Sequence, residues 1–408
     1  MIDSIHIKNF KSIVDLTIDL GKFNVIIGEN GCGKSNILEA IAFGAASSAD
    51  KLDYEFLGSR GIRVTNPEFM YSAFSDKQNR TIDLDFTIND DYFKNYNFKL
   101  TNDNNNSKKW INKNKDIDGK RTKEVLKSLI FEKDKFNIPN SNLDTENLKK
   151  LEDLGQKINS LVSKSSDESE NKKFFDYIFN KFLEDQNSSE SISNFIIYSP
   201  EQSSLRKFED TTQIYPLGIR GEGLFQYLKE LSFDKKSKKI FNEIKKNMIL
   251  LDWYENFDLS ESLLKNEHSL QIKDRYINEN LNYFDQRSTN EGFLYLLFYS
   301  TLFLSKITPK FFAIDNIDAS FNPKLCMQMT KSLYDLSKKS DKQVILTTHN
   351  PAILDGLDLK DNNQRLFVVR RNENGETKIK RIEYKKDREM KLSEIWTSGF
   401  IGGLPENF

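Results

Sequence analysis

Gly28-Glu29-Asn30-Gly31-Cys32-Gly33-Lys34-Ser35 fits the pattern G-x-x-x-x-G-K-[ST] at every fixed position. The apolar run Phe23 to Ile27 precedes it and a helical pattern follows, the strand–loop–helix setting that a phosphate-binding loop needs. Bare glycine backbone lets several N–H groups converge on one phosphate, while the following helix points its positive end at the same place. In this reading Asn30, Gly31, Cys32 and Gly33 cradle the phosphates, Lys34 reaches the β- and γ-groups, and the Ser35 hydroxyl binds Mg²⁺. A glycine-rich turn that binds nothing would need neither the Lys-Ser pair nor the flanking elements.

Upstream, Ile5 and Ile7, then Val14, Leu16, Ile18 and Leu20 alternate with polar residues, predicting two half-buried strands that feed the loop strand. Downstream, Ile37, Leu38, Ile41 and Ala42 recur at helical spacing and give one face to pack on a sheet. Ile82, Leu84, Phe86 and Ile88 alternate again and read as an edge strand. From 89 to 190 the composition turns to Asn, Lys, Asp and Ser, with Asn102 to Ser107 and Ser163 to Glu170 as loops. Val125 to Ile130 and Leu148 to Ile158 carry helical periodicity, so this stretch reads as a mainly helical, arm-like insertion. The expected organisation is therefore 1–88 with the loop, 89–190 as the insertion, and 191–408 as a second lobe.

Length and composition set bounds. A chain of 408 residues exceeds what one core usually supports. The net charge of -1 excludes a generally basic protein, so any nucleic-acid contact must come from local patches. The densest is Lys235, Lys236, Lys238, Lys239, Lys245 and Lys246, which reads equally as a phosphate-backbone contact or a solvated helix face. Two cysteines, Cys32 and Cys326, give no disulfide framework and fit a reducing compartment. Met1 to Lys11 lacks the apolar core of a signal peptide, and Phe293 to Leu304, roughly a dozen residues, is too short to span a bilayer. The expectation is a soluble, cytoplasmic protein with no membrane partner.

A second set of residues completes the picture. Phe311-Phe312-Ala313-Ile314-Asp315 is a strand-length apolar run ending in an acid, the form that holds Mg²⁺ in phosphate-loop proteins. Val344 to Thr348 is another strand, ending in His349, for which a role near the γ-phosphate competes with a structural one. In a doubly wound α/β sheet these ends and the loop share one crevice. Arg287 to Gly292 leads into the apolar helix from Phe293, and a helix amino terminus of this kind attracts anions.

Taken in order, these motifs resemble the RecF/SMC/OLD-like branch of the ABC ATPases, in particular the bacterial AAA15/AAA21 group. The opening Ile5-His6-Ile7-Lys8-Asn9-Phe10-Lys11-Ser12 and Asn36-Ile37-Leu38-Glu39-Ala40-Ile41 after the loop carry the likeness. So do Asn290-Glu291-Gly292 at the signature, Asp315 at the Walker B acid, Ala319 to Asn322 at the D-loop and His349 at the switch position. The resemblance covers residues 1 to about 88 and 190 to 370. It implies an ABC-type α/β head with a mixed sheet, ATP and Mg²⁺ as cofactors, and a homodimer with ATP between the loop of one copy and Asn290 to Gly292 of the other. Gln202 is the candidate Q-loop residue, as a metal-sensing ligand beside Ser35 and Asp315, with Gln78 behind it. Arg60 and Arg63 are candidates for phosphate or DNA contact, or ordinary surface arginines.

Two positions depart from the family pattern. Asn290 replaces the signature serine and can still donate to phosphate. Asn316 stands where the family usually has the glutamate that activates water, and an amide cannot accept a proton as a general base. Asp318 is the candidate substitute, and slow turnover is expected. The implied role is an ATP-gated sensor for a separate nuclease or toxin effector in prokaryotic anti-phage defence. A RecF- or SMC-like DNA-repair ATPase is the alternative. After Arg370 the reading allows only a strand from Thr377 to Tyr384 and a helix from Asp387 to Trp396, too little for a Toprim nuclease domain.

Overall fold

A computed structural model describes residues 1–74, 80–88, 95–102, 109–114, 192–207, 214–261, 268–278, 283–318, 320–386 and 390–404. The amino-terminal alternation forms β1 (Ile2–Phe10) and β2 (Ile13–Asp19), paired antiparallel with Ile5 opposite Ile18 and Ile7 opposite Leu16. Next come β3 (Phe23–Ile27), α1 (Lys34–Ser48) and the short α2 (Tyr54–Ser59). β4 (Ile82–Ile88) lies against the other side of β1, followed outward by β5 (Asn95–Asn102) and β6 (Trp110–Asn112). The first sheet thus has the order β2-β1-β4-β5-β6. β4 is an interior strand rather than the expected edge, because β5 covers it. The sheet also runs past residue 88 into the stretch read as insertion. Its signal is Tyr96, Phe98 and Leu100, all buried, at a period of two among asparagines and lysines. The helices read between Val125 and Ile158, the loop Ser163 to Glu170 and most of Asn102 to Ser107 lie outside the described residues.

The second sheet gathers strands from both ends of the chain. After β7 (Ile197–Tyr198) come α3 (Gln202–Leu205), α4 (Leu224–Phe233), α5 (Lys238–Asn247) and a separate hairpin, β8 (Tyr254–Glu261) with β9 (His268–Asp274). Then follow α6 (Glu291–Leu304), β10 (Phe311–Ile314), α7 (Pro323–Lys339), β11 (Gln343–Thr347), β12 (Gln364–Arg371), β13 (Thr377–Ile382) and α8 (Leu392–Thr397). The order is β13-β12-β3-β11-β10-β7, parallel throughout except for antiparallel β13. Strands covered on both faces read as continuous apolar runs, and β3, β10 and β11 are buried at every position.

Alternate residues of these strands feed two cores. Val25, Phe312, Ile314, Val344 and Leu346 face α6 and α7, while Ile26, Phe311, Ala313 and Ile345 face α1 and the first sheet. α1 is therefore wedged between two sheets and buried nearly all round, where the sequence pattern predicted one apolar face. Its small residues make room: a side chain at Gly44 would come within 2.5 Å of the Phe86 ring. Gln343, almost fully buried, joins the sheets by donating to Ile2 O and Gly21 O and accepting from Ile2 N. Among the described residues, no helix is long and apolar enough to cross a membrane.

Candidate functional site

The loop Gly28 to Gly33 links β3 to α1, and its shape is set by positive φ at Gly28, Gly31 and Gly33. Lys34, 6% exposed, donates its Nζ to the carbonyls of Gly28 and Glu29, each at 2.9 Å. Burial lowers its pKa, while Cys32, Asp315, Glu29 and Asp318 pull it back up. Burial also raises the Cys32 thiol, which stays protonated and unpaired in a disulfide.

Two residues near the carboxyl-terminal end of the described chain hold the loop. Arg371 Nε donates to Gly31 O at 2.9 Å. Thr377 Oγ1 donates to Cys32 O at 2.9 Å and meets Ser12 Oγ at 2.7 Å, and Ser12 Oγ accepts from Asn36 Nδ2 at 2.7 Å. With the Thr377 proton on Cys32 O, Ser12 is the donor to Thr377, so one proton-consistent chain runs from α1 through β13 to the loop. No sequence pattern pointed to Arg371 or Thr377, which lie some 340 residues from their partners.

The parallel register of β3, β11 and β10 brings their ends together at the loop, as expected for the shared crevice. Ser35 Oγ donates to Asp315 Oδ2 at 3.1 Å. The other oxygen of Asp315 accepts from Thr347 Oγ1, which in turn accepts from Asn316 N at 2.9 Å. Asn316 is exposed with φ 57, a left-handed conformation that asparagine tolerates better than most residues. Asp318 Oδ1 accepts from Thr348 Oγ1 at 2.6 Å. His349 follows, exposed, its pKa lowered by burial and by Lys34 against the pull of Asp318 and Asp315, so its imidazole is neutral at pH 7.

A cavity of about 340 Å³ opens beside this cluster, lined by Ser35, Glu39, Arg63, Ser199, Glu201 and Asp315 among others. Glu39 is almost fully buried on α1 and accepts from both Lys11 and Arg63. Arg63 is thus at the site and charge-paired, whereas Arg60 lines a different cavity. Glu201, the N-cap of α3, also lines this cavity. Gln202 opens that helix, its backbone N–H against the Tyr295 hydroxyl. Gln78 lies outside the described residues.

Among the described residues, no three His, Cys, Asp or Glu groups gather to hold a metal by themselves. The donors present, a Ser35 hydroxyl and an Asp315 carboxylate with Glu201 on the same cavity, are hard oxygens. They suit Mg²⁺, which is usually bound by one or two carboxylates together with substrate phosphates.

Asn290, Glu291 and Gly292 lie in a second cavity of about 500 Å³, together with Ser320, Asn322 and Lys324. Asn290 caps α6, its Oδ1 accepting from Phe293 N at 2.8 Å, so the amide Nδ2 remains as the free donor end. Ser320 Oγ donates to Glu291 Oε2 at 2.6 Å, tying the segment after β10 to the first turn of α6. Ala319 lies outside the described residues. No residue lines both this cavity and the one beside Ser35. In the lysine-rich patch, Lys245 pairs with Asp258 and lies over the Phe241 and Phe257 rings, while Lys235, Lys236, Lys238, Lys239 and Lys246 are exposed.

Residues 23–355 match the family model described as "AAA domain, putative AbiEii toxin, Type IV TA system". A stretch of 85 residues is 32% identical to the DNA replication and repair protein RecF of Lactococcus lactis, covering 21% of this chain and 23% of that protein. A 43-residue stretch is 51% identical to the chromosome partition protein Smc of Methanocaldococcus jannaschii, covering 10% of this chain and 4% of that one. The chain therefore aligns with less than a quarter of either relative's length. Among solved structures, an SMC head bound to the C-terminal winged-helix domain of ScpA is similar in fold at a TM-score of 0.53 and 15% identity, covering 95% of this chain and 99% of that one.

Proposed function

The chain belongs to this AbiEii-type AAA-domain family, within the RecF/SMC-like ABC ATPases, and on that premise we propose that it is a slowly hydrolysing, ATP-gated sensor. It acts as a scaffold for a separately encoded nuclease or toxin in prokaryotic anti-phage defence. The observation that carries this reading is Asn316, an amide directly after the metal-side acid Asp315. With no proton acceptor there, the bound nucleotide persists, which suits a state held rather than a stroke repeated.

The residues divide the work as follows. Ser35 and Asp315 hold Mg²⁺, which when bound neutralises charge developing on the transferring phosphoryl group. Thr347 fixes Asp315 by accepting from Asn316 and donating to the carboxylate. Lys34 leaves the Gly28 and Glu29 carbonyls for the phosphates. Thr348 anchors one oxygen of Asp318, leaving the other to accept the proton of the attacking water. Neutral His349 donates or accepts a hydrogen bond at the γ-phosphate without adding charge. Asn290 Nδ2 and the α6 amino terminus receive the γ-phosphate of a second copy, completing an ATP-sandwich homodimer. The separate cavities of the two half-sites support that arrangement.

A separate partner protein is in keeping with the SMC head of similar fold, which was solved with a domain of another protein bound. The test is co-expression with the proteins encoded beside it and affinity capture with and without ATP. Nucleotide-dependent, salt-insensitive retention of a neighbour-encoded effector is expected. Binding of duplex DNA that strengthens with ATP and falls steeply with salt, with no neighbour retained, would replace this reading by the RecF- or SMC-like repair ATPase.

A further inference from the structure

A third cavity, of about 390 Å³, opens at the opposite end of the β7–β10 pair, where Lys310 leads into β10 and Ile196 into β7. Asp315 lies just past the far end of β10, roughly 16 Å from Lys310 at the usual rise per strand residue. Arg60, Lys306 and Lys310 line the cavity, and among the described residues no carboxylate does. Arg60 Nε is buried without a hydrogen-bond partner among the described residues, and its guanidinium sits 4.6 Å from the Phe56 ring centroid. That stack occupies the guanidinium face and leaves its N–H edge for an acceptor. Behind the wall, Lys342, 2% exposed, donates to Leu302 O at 2.8 Å and to Pro309 O at 3.4 Å. Two acids bear on this wall: Glu230 accepts from the Tyr215 hydroxyl at 2.6 Å, and Asp341, paired with Lys22 at 2.7 Å, also feels the Lys310 charge. Lys306 and Lys310 are exposed, so the partly buried charge here is that of Arg60; such a charge is costly to desolvate, and a bound anion offsets that cost. The remaining wall is apolar or aromatic, from Ile214, Tyr215 and Ile307, the last two 62% and 53% exposed.

We propose that this cavity binds a small phosphomonoester, its phosphate held by Arg60, Lys306 and Lys310 and its planar or apolar body against Ile214, Tyr215 and Ile307. Guanidinium and ammonium groups together suit a dianionic head, and the volume suits a mononucleotide-sized ligand. The site is separate from the Gly28 to Ser35 loop and does not depend on ATP hydrolysis.

AMP is the probe, because it carries a phosphate and a planar body but lacks the β-phosphate that the loop cradles. Calorimetric titration of the wild-type chain and of Lys34→Ala should give the same AMP site in both. Lys306→Gln/Lys310→Gln should weaken it at least ~10-fold, since two charge-assisted hydrogen bonds are lost, with thermal unfolding unchanged at these exposed positions. Adenosine should not bind. Absence of AMP binding, an affinity unchanged in the double variant, or loss of the site in Lys34→Ala alone with unfolding unchanged would overturn the proposal. Equally tight binding of an oligonucleotide lacking a terminal phosphate would overturn the monoester assignment.

Discussion

Asp318→Asn removes the proposed proton acceptor and changes little else. The amide is the same size, and its Oδ1 can keep the 2.6 Å bond from Thr348 Oγ1 that holds Asp318 in place. ATP affinity should therefore stay the same or rise slightly, since a negative charge near Lys34 and the phosphates is gone. Loss of a positioned general base typically slows a reaction by ~10²- to 10⁴-fold, or about 2.7–5.4 kcal/mol at 1.36 kcal/mol per decade. The companion variant Asn316→Glu restores a carboxylate beside Asp315. Its φ of 57 charges glutamate about 1–2 kcal/mol for the left-handed conformation, less than the gain a base supplies, so its rate should exceed wild type. The assay is single-turnover phosphate release at saturating ATP and Mg²⁺, alongside equilibrium binding of fluorescent ATP. If Asp318→Asn hydrolyses ATP as fast as wild type while Asn316→Glu is no faster, Asp318 is not the base and the proposal of slow turnover fails.

Three further outcomes follow from the geometry. Thr377→Val leaves the buried Cys32 carbonyl unpaired, a loss of about 1–3 kcal/mol, and should weaken ATP binding, whereas Thr377→Ser, which keeps the hydroxyl, should restore it. Asn290→Asp preserves the α6 cap and hence the melting temperature. It sets a negative charge against the partner's phosphate and should abolish ATP-dependent self-association in analytical ultracentrifugation. Lys342 is held down to about 7 by burial. Between pH 7 and the ordinary lysine range the unfolded chain binds the proton that the folded chain has released, so stability from this group rises with pH and its penalty is fully present below pH 7. Chemical denaturation should show wild type gaining on Lys342→Met between pH 7 and 9; a constant difference would refute the depressed pKa.

Short-range patterns carried most of the second sheet. Phe23 to Ile27, Phe311 to Ile314 and Val344 to Thr347 are buried strands whose ends converge as their apolar runs implied. The errors come where burial or register is decided by distant chain. β5 hid because its outward positions are asparagine and lysine, although Tyr96, Phe98 and Leu100 carried the alternation. α1 looked one-sided because Ile37, Leu38, Ile41 and Ala42 define a single face, while Ala40, Ala45 and Ala46 off that set are as buried as Ile37. Glu201 carried no signal of its own, since the start of a four-residue helix decides which side chain lines the cavity. The clamp by Arg371 and Thr377 has no local signature at all.

The position of β3 between β11 and β12 has a consequence for biosynthesis. The first sheet closes entirely within residues 2–112 and can assemble early. β3 leaves the ribosome at the same time, yet both of its neighbours are encoded beyond residue 342. At roughly 5–20 residues per second, the unpaired backbone edges of that largely apolar strand wait on the order of 15–60 s for cover. A nascent chain of this protein is thus exposed to aggregation for most of its synthesis, and competence to bind nucleotide is acquired late, in one step, once nearly all of these residues have emerged.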